Sequence, residues 1–237
     1  MAYAVALTLL IPCRILAQME PHVLQEGDSR DVERWFDLHR SYVDRAREGH
    51  VRLLFIGDSL TYGWRVDGLE PWERTFAPLG AEDFGIGGDR TIDVLWRVEH
   101  GELDGIAPRA VVLSIGTNDL GSRLGVDATV KGITACVHAI RNKLPKTTIV
   151  VLGILPRGDG GPASPMRRDV ASVNARLAPL ADAPATRYLD LGSAFTRDGN
   201  VRRELFHADL LHLSTEGYRV WAATLRPEVS ALVSSSS

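Results

Sequence analysis

Apolar and polar positions alternate along this chain in two distinct rhythms. One is helical. Val32, Trp35, Phe36, His39, Val43 and Ala46 recur at three- and four-residue steps and predict a helix over residues 29–48. The same spacing predicts helices at Thr91–His100, through Ile92, Leu95 and Trp96, and at Asp127–Leu144, through Val130, Ile133, Val137, Ile140 and Leu144. Two more are predicted at Pro165–Ala181 and Thr215–Val233. The other rhythm is a continuous short apolar run bounded by turn residues, the mark of a strand buried on both faces. It occurs most clearly at Val51–Ile56, Ala110–Ile115 and Thr147–Leu152, and Ala81–Ile86 and Thr186–Leu191 read as further strands.

Five such strands separated by helices predict an α/β fold with one parallel sheet covered on both faces. Right-handed crossovers give a doubly wound, flavodoxin-like sheet of order 2-1-3-4-5 inside a three-layer α/β/α sandwich. Folds of this kind place their sites at the carboxyl ends of the strands. That rule directs attention to residues 57–64, 85–91 and 116–121, and to whatever the C-terminal segment brings over them.

The 237 residues suffice for one large domain, and no internal repeat or long linker divides them. We read residues 18–237 as that domain. The Ser234–Ser237 tail reads as frayed. Residues 1–17 are mostly apolar, carry no charge before Arg14, and are too short to span a bilayer as a helix. They read as an export signal lacking a positive n-region, or else as an apolar arm. The first reading favours a secreted or periplasmic protein, the second a cytoplasmic one; neither expects stable membrane insertion. The net charge of −3 offers no basic field for nucleic acid. Arginine outnumbers lysine 24 to 3, which says little about function. Two cysteines, Cys13 and Cys136, make no disulfide framework, and no Cys/His cluster has zinc spacing. Cys136 reads as a small buried residue.

Polar residues punctuate the carboxyl end of each early strand. Gly57-Asp58-Ser59-Leu60 follows the first, Gly85-Ile86-Gly87-Gly88-Asp89-Arg90 the second, Gly116-Thr117-Asn118-Asp119 the third, and Asp209-Leu210-Leu211-His212 precedes the last helix. Each block is weak alone. Together, in this order, they specify a chemistry. A serine hydroxyl is a feeble nucleophile until a base accepts its proton. His212 is the natural base, and Asp209, three residues earlier, would share its face of a helical turn and fix its tautomer. The N–H groups of Ser59 and Gly88 and the side-chain amide of Asn118 would bind the oxyanion that forms on an attacked carbonyl.

These four blocks resemble the SGNH, or GDSL, hydrolases. The stretches "FGIGGDRTIDVLWRVEHGELDGIAP", "SIGTND", "VLGILPRG" and "LLHLSTEGY" are similar to the catalytic subunits of platelet-activating factor acetylhydrolase and their bacterial relatives, well beyond the catalytic letters. The resemblance covers about residues 30–230. It implies a three-layer α/β/α fold, hydrolysis of small acyl esters, and no metal or other cofactor. It assigns Ser59 as nucleophile, Asp209 and His212 as its triad partners, and Ser59, Gly88 and Asn118 as oxyanion donors. By analogy with the animal subunits it implies a homodimer.

Other readings compete locally. Ser59 could be only a helix cap, and Asn118 only a turn former. The glycines at 85, 87 and 88 lack the third glycine of a dinucleotide loop, since Arg90 stands there, and no P-loop lysine follows. Gly57-Asp58-Ser59-Leu60-Thr61 fits only half of a nucleophile elbow. Asp58, Asp89 and Asp119 read as structural carboxylates. His22, His39, His50, His100, His138 and His207 lack a catalytic context. Trp64 and Trp72 read as packing residues, with a substrate-facing Trp64 as the alternative, and Trp64–Gly68 reads as exposed. The function expected is a serine esterase for short-chain, especially acetyl, esters. A carbohydrate acetylesterase, a lysophospholipase or thioesterase, or a non-catalytic carbohydrate-binding module are the alternatives. An imidazole base would make the rate rise through about pH 6–7.

Overall fold

The computed structural model describes residues 20–21, 30–158 and 160–234. The expectations for residues 1–17, Cys13, His22 and the last three serines lie outside those residues. Its helices are α1 (Val32–Arg47), α2 (Ser59–Tyr62), α3 (Leu69–Thr75), α4 (Thr91–Arg97), α5 (Thr117–Gly121), α6 (Gly125–Lys143), α7 (Pro165–Leu177) and α8 (Thr215–Ser234). Between them run β1 (Leu53–Gly57), β2 (Ala81–Gly85), β3 (Ala110–Ser114), β4 (Thr148–Leu152) and β5 (Thr186–Leu189).

Every residue of β1 is buried, as a central strand covered on both faces must be. All neighbouring pairs are parallel and the order is β2-β1-β3-β4-β5, as the sequence predicts. Alternation along the strands feeds two cores. Leu54, Ile56, Val111 and Leu113 pack against α1, α4, α6 and α7, through side chains such as Trp35, Val94, Ile140 and Val173. Leu53, Phe55, Ala110 and Val112 pack on the opposite face against Trp64, Phe76, Trp221 and Val229.

The register sets up the functional edge. Gly57 is level with Gly85 on one side and Ser114 on the other. The three strands therefore end together, and the polar blocks that follow them open on one rim.

The expected boundaries shift where chemistry intervenes. The helix begun at Thr91 ends at Arg97 and widens into a turn, Val98–Glu102, with Gly101 at φ 95°. The helix begun at Pro165 ends at Leu177 and tightens into a 3₁₀ turn, Ala178–Asp182, because Pro179 has no N–H to continue the ladder. The short helices α2 and α5 were not predicted, nor were two further elements. One is α3, whose short span carries Pro71. The other is a two-residue hairpin, Thr196–Arg197 with Asn200–Val201, turning on Asp198 and Gly199 at positive φ. Among the described residues no helix is long and apolar enough to cross a membrane.

Candidate active site

Ser59 stands directly beyond β1 as the first residue of α2. The preceding Asp58 caps that helix, its carboxylate accepting the Leu60 N–H at 2.9 Å. Gly57 makes the tight exit achievable. A Cβ there would stand 2.2 Å from both the Ser114 carbonyl oxygen and Thr61 Oγ1, so only glycine lets α2 fold back this closely. Asp58 itself is turned into the protein. Burial pushes its carboxyl up to about 7 against the pull of the Leu60 N–H.

Asp209, His212 and Ser59 form an unbroken chain. Asp209 Oδ2 lies 2.6 Å from His212 Nδ1, and His212 Nε2 lies 3.0 Å from Ser59 Oγ. The acid and base do not share a helical turn, as their spacing predicts. They lie on an irregular loop in which Leu210 is left-handed, φ 52°, with its side chain buried. Hydrogen bonds inside and outside the loop hold it, among them Leu210 N–H to the His207 carbonyl at 3.0 Å. Asp209 Oδ1 accepts the N–H groups of Leu211 and His212, each at 3.0 Å, and the Gly158 N–H donates to the Leu210 carbonyl at 2.9 Å. Burial works to raise the Asp209 carboxyl, but the His212 ring and those two N–H groups outweigh it and hold it down at about 2. The carboxylate is therefore ionised at any working pH. Both side chains remain nearly half exposed.

The expected oxyanion donors border the same rim. Gly88 lies in the turn after β2 at φ 80°, a left-handed conformation that favours glycine. A Cβ on the adjacent Gly87 would stand 3.9 Å from that of Ser59. Asn118, in α5, donates one amide hydrogen to the Asp89 carbonyl at 2.8 Å, which leaves its second N–H to point elsewhere. Asp119 is committed to structure, accepting Thr91 N–H at 3.0 Å and Thr91 Oγ1 at 2.6 Å. Two recesses flank the rim. One, about 250 Å³, is lined by Trp35, Tyr62, Ile86 and Gly87. The other, about 530 Å³, is lined by Leu120, Arg123, Arg157 and Met166. Arg157 bonds the Thr117 carbonyl and hydroxyl beside Asn118.

This architecture is matched by known proteins. The model of the GDSL-like Lipase/Acylhydrolase family matches residues 55–220. The chain belongs to this family. The GDSL-like chain is 39% identical over 195 residues to platelet-activating factor acetylhydrolase IB subunit alpha1 from Homo sapiens, covering 81% of this chain and 80% of that one. It is 35% identical to the alpha2 subunit from Gallus gallus, over 84% and 83% of the two chains. In fold it is similar to a GDSL-like lipase from Bacteroides thetaiotaomicron, with TM-score 0.65, 19% identity, and 84% and 97% of the two chains covered. It is also similar to an acetyl-xylooligosaccharide esterase from Geobacillus, with TM-score 0.61, 20% identity, and 79% and 96% covered. The protein is accordingly a carboxylic ester hydrolase of the GDSL type.

Most other residues singled out in the sequence take the structural places expected of them, and the exposed reading of Trp64 is the exception. Trp64 does not face the rim, nor is it exposed. It is fully buried among Phe55, Trp72, Phe76, Tyr218 and Trp221, because a 3₁₀ turn at Gly63–Arg65 tucks it under α8, while Val66 is left 60% exposed. His207 pairs with Asp67 at 3.0 Å and donates its N–H to the His212 carbonyl at 2.8 Å. His39 lies against Glu102, and His100 stacks on Trp96. Cys136 is buried, and burial pushes its thiol pKa up. Among the described residues no group of three His, Cys, Asp or Glu side chains could hold a metal ion.

Arg97 is a residue that sequence reasoning missed. Fully buried, it donates to the Phe84 and Gly57 carbonyls at 3.0 and 3.2 Å and ion-pairs with Asp89 and Glu102. It thereby ties together the ends of β1 and β2. Its one signal was position: three residues after Val94, it shares the inward face of α4.

Proposed function

We propose that the protein is a serine esterase for short-chain carboxylic esters, acetyl esters above all, acting through an acyl-enzyme. The observation that carries this reading is the continuous Asp209–His212–Ser59 hydrogen-bond chain at 2.6 and 3.0 Å. His212 Nε2 takes the Ser59 hydroxyl proton as Oγ attacks the ester carbonyl, and Asp209 stabilises the imidazolium. The tetrahedral oxyanion is met by the N–H groups of Ser59 and Gly88 and the free amide N–H of Asn118. Collapse expels the alcohol, which takes the proton from His212. A water, deprotonated by His212 in turn, then attacks the acyl-Ser59 and releases the carboxylic acid.

One fact supports short acyl groups. The relatives at 35–39% identity are named acetylhydrolases. The alcohol side stays open to sugar, lipid or metabolite. The test is hydrolysis of p-nitrophenyl acetate, butyrate and octanoate by the protein and its Ser59→Ala variant. Acetate should be cleaved fastest, and the variant should lose the activity. Undiminished hydrolysis by Ser59→Ala, or a maximum at octanoate, would refute the reading.

A further inference from the structure

The Asn118 amide has two hydrogens, and one is spent on the Asp89 carbonyl. Because the amide is planar, fixing one N–H fixes the direction of the other. Whatever holds the Asp89 backbone therefore aims Asn118. Asp89 is itself completely buried and held from three directions. Its Oδ1 accepts Trp35 Nε1–H at 2.7 Å and Arg30 Nη1–H at 2.9 Å, and its Oδ2 lies 2.9 Å from Arg97 Nε. Arg97 also grips the last carbonyl of β1 and the next-to-last of β2, strands that lead into the Ser59 and Gly88 loops. Trp35 and Arg30 come from α1 and the residues just before it, outside the 55–220 segment that the family model matches.

We propose that Asp89 is a positioning residue for ester hydrolysis: clamped by Trp35, Arg30 and Arg97, it presents its carbonyl so that the Asn118 amide points at the oxyanion. This rests on the serine-esterase reading above. It makes α1 part of the catalytic framework. The charge on Asp89 never meets substrate. Its task is to keep a backbone carbonyl still to within the few tenths of an ångström over which a hydrogen-bond donor stays useful.

The test is a double-mutant cycle on the full chain with p-nitrophenyl acetate. Asp89→Asn and Trp35→Phe are each made in the wild type and in Asn118→Ala. Removing an oxyanion donor costs roughly 10²–10³ in kcat, and mis-aiming one should forfeit part of that. In the wild type each variant should lose about tenfold to hundredfold in kcat with KM within about twofold. In the Asn118→Ala background the same changes should cost less than about threefold, because the donor they aim is gone. A general loosening of the fold would lower kcat equally in both backgrounds, and that result overturns the proposal. So does wild-type kcat in both folded variants. Asp89→Asn removes the partner of a buried arginine. If circular dichroism shows it unfolded, Trp35→Phe, which keeps the ring and loses one N–H, decides alone. Ser59→Ala runs alongside: activity surviving there sinks the serine-esterase reading, whereas an additive cycle with Ser59→Ala inactive sinks only the role of Asp89.

Discussion

Replacing Asp209 by asparagine separates charge and tautomer control from shape. The amide that results has only one way to sit. Asp209 Oδ1 accepts two backbone N–H groups, from Leu211 and His212 at 3.0 Å each. An amide NH2 turned toward them would set donors against donors, so the asparagine oxygen must keep that place. Its NH2 is then forced toward His212 Nδ1, which in the native protein lies 2.6 Å from Asp209 Oδ2. The imidazole must answer with a lone pair at Nδ1. Its remaining proton then sits on Nε2, facing Ser59 Oγ, and the base is disabled. In a serine protease triad the same change costs about 10⁴ in kcat. Here both side chains are nearly half exposed, and water can relieve part of the conflict, so we expect a loss of about 10³, or about 4 kcal/mol of transition-state stabilisation. The loop bonds survive, so Tm should move by no more than about 3 °C. The assay is steady-state hydrolysis of p-nitrophenyl acetate from pH 5 to 9, with a thermal melt on the same preparation. A variant within about tenfold of wild type in kcat would refute the tautomer argument.

Other perturbations address the frame. Asp58→Asn keeps the acceptor for Leu60 but removes a carboxyl that burial raises to about 7. The folded protein retains that proton between about pH 4 and 7 while the unfolded chain has released it, so native stability should fall as pH rises through that window. The gap of about three pH units bounds this contribution at about 4 kcal/mol. Guanidinium melts at pH 4.5 and 7.5 should show a shallower fall in Asp58→Asn, the remainder belonging to the other carboxyls that burial raises, Asp83, Asp89, Asp93 and Asp119. Parallel curves for variant and wild type would count against it. Asp209 has the opposite sign: its lowered carboxyl favours the fold above about pH 4 and that support is lost as pH falls through about 2, so the acid limb of the rate profile should not move in buffers kept above pH 4. Gly57→Ala, whose Cβ has no room, should cost about 1–3 kcal/mol by overpacking and displace Ser59, seen as a drop in both Tm and kcat. Unchanged kinetics there would show that α2 can retreat.

Much of this was legible because parallel strands leave a strong trace. "LLFIG" and "AVVLS" are buried on both faces, and residues of that kind write themselves as unbroken apolar runs. Three of the polar blocks were legible because each follows such a run, and the fourth because it precedes the last helix. What escaped notice depends on contacts distant in sequence. Trp35 meets Asp89 across 54 positions, and Arg97 meets Gly57 across 40. Nothing local marks a tryptophan or an arginine on an inward helical face as a hydrogen-bond donor to the rim. Trp64 was legible as a packing residue but not as lying outside an exposed stretch: its neighbours Arg65, Val66 and Asp67 look like a solvent loop, and the core around it is completed by the far α8, with Tyr218 and Trp221.

The Asp209–His212 spacing was read correctly as a partnership, yet its geometry is not helical, and the difference matters for how the site works. On a regular helix, i and i+3 side chains run side by side, and their separation floats with two rotamers. Here the acid's own Oδ1 bonds the N–H of the residue that carries the base. The carboxylate is thus anchored by one oxygen to the backbone of His212 while the other holds the ring. Acid and base move as one body. The strain of placing Leu210 at φ 52° is offset by the burial of its side chain and by the Gly158 bond to its carbonyl. A half-exposed pair on a loop would otherwise lose its alignment to solvent. Ser59, just past the stiff end of β1, needs only that this body be seated 3.0 Å away. Rigidity on the serine side comes from the sheet, and on the histidine side from the hydrogen bonds among His207, Asp209, Leu210, Leu211 and His212 and the one reaching in from Gly158.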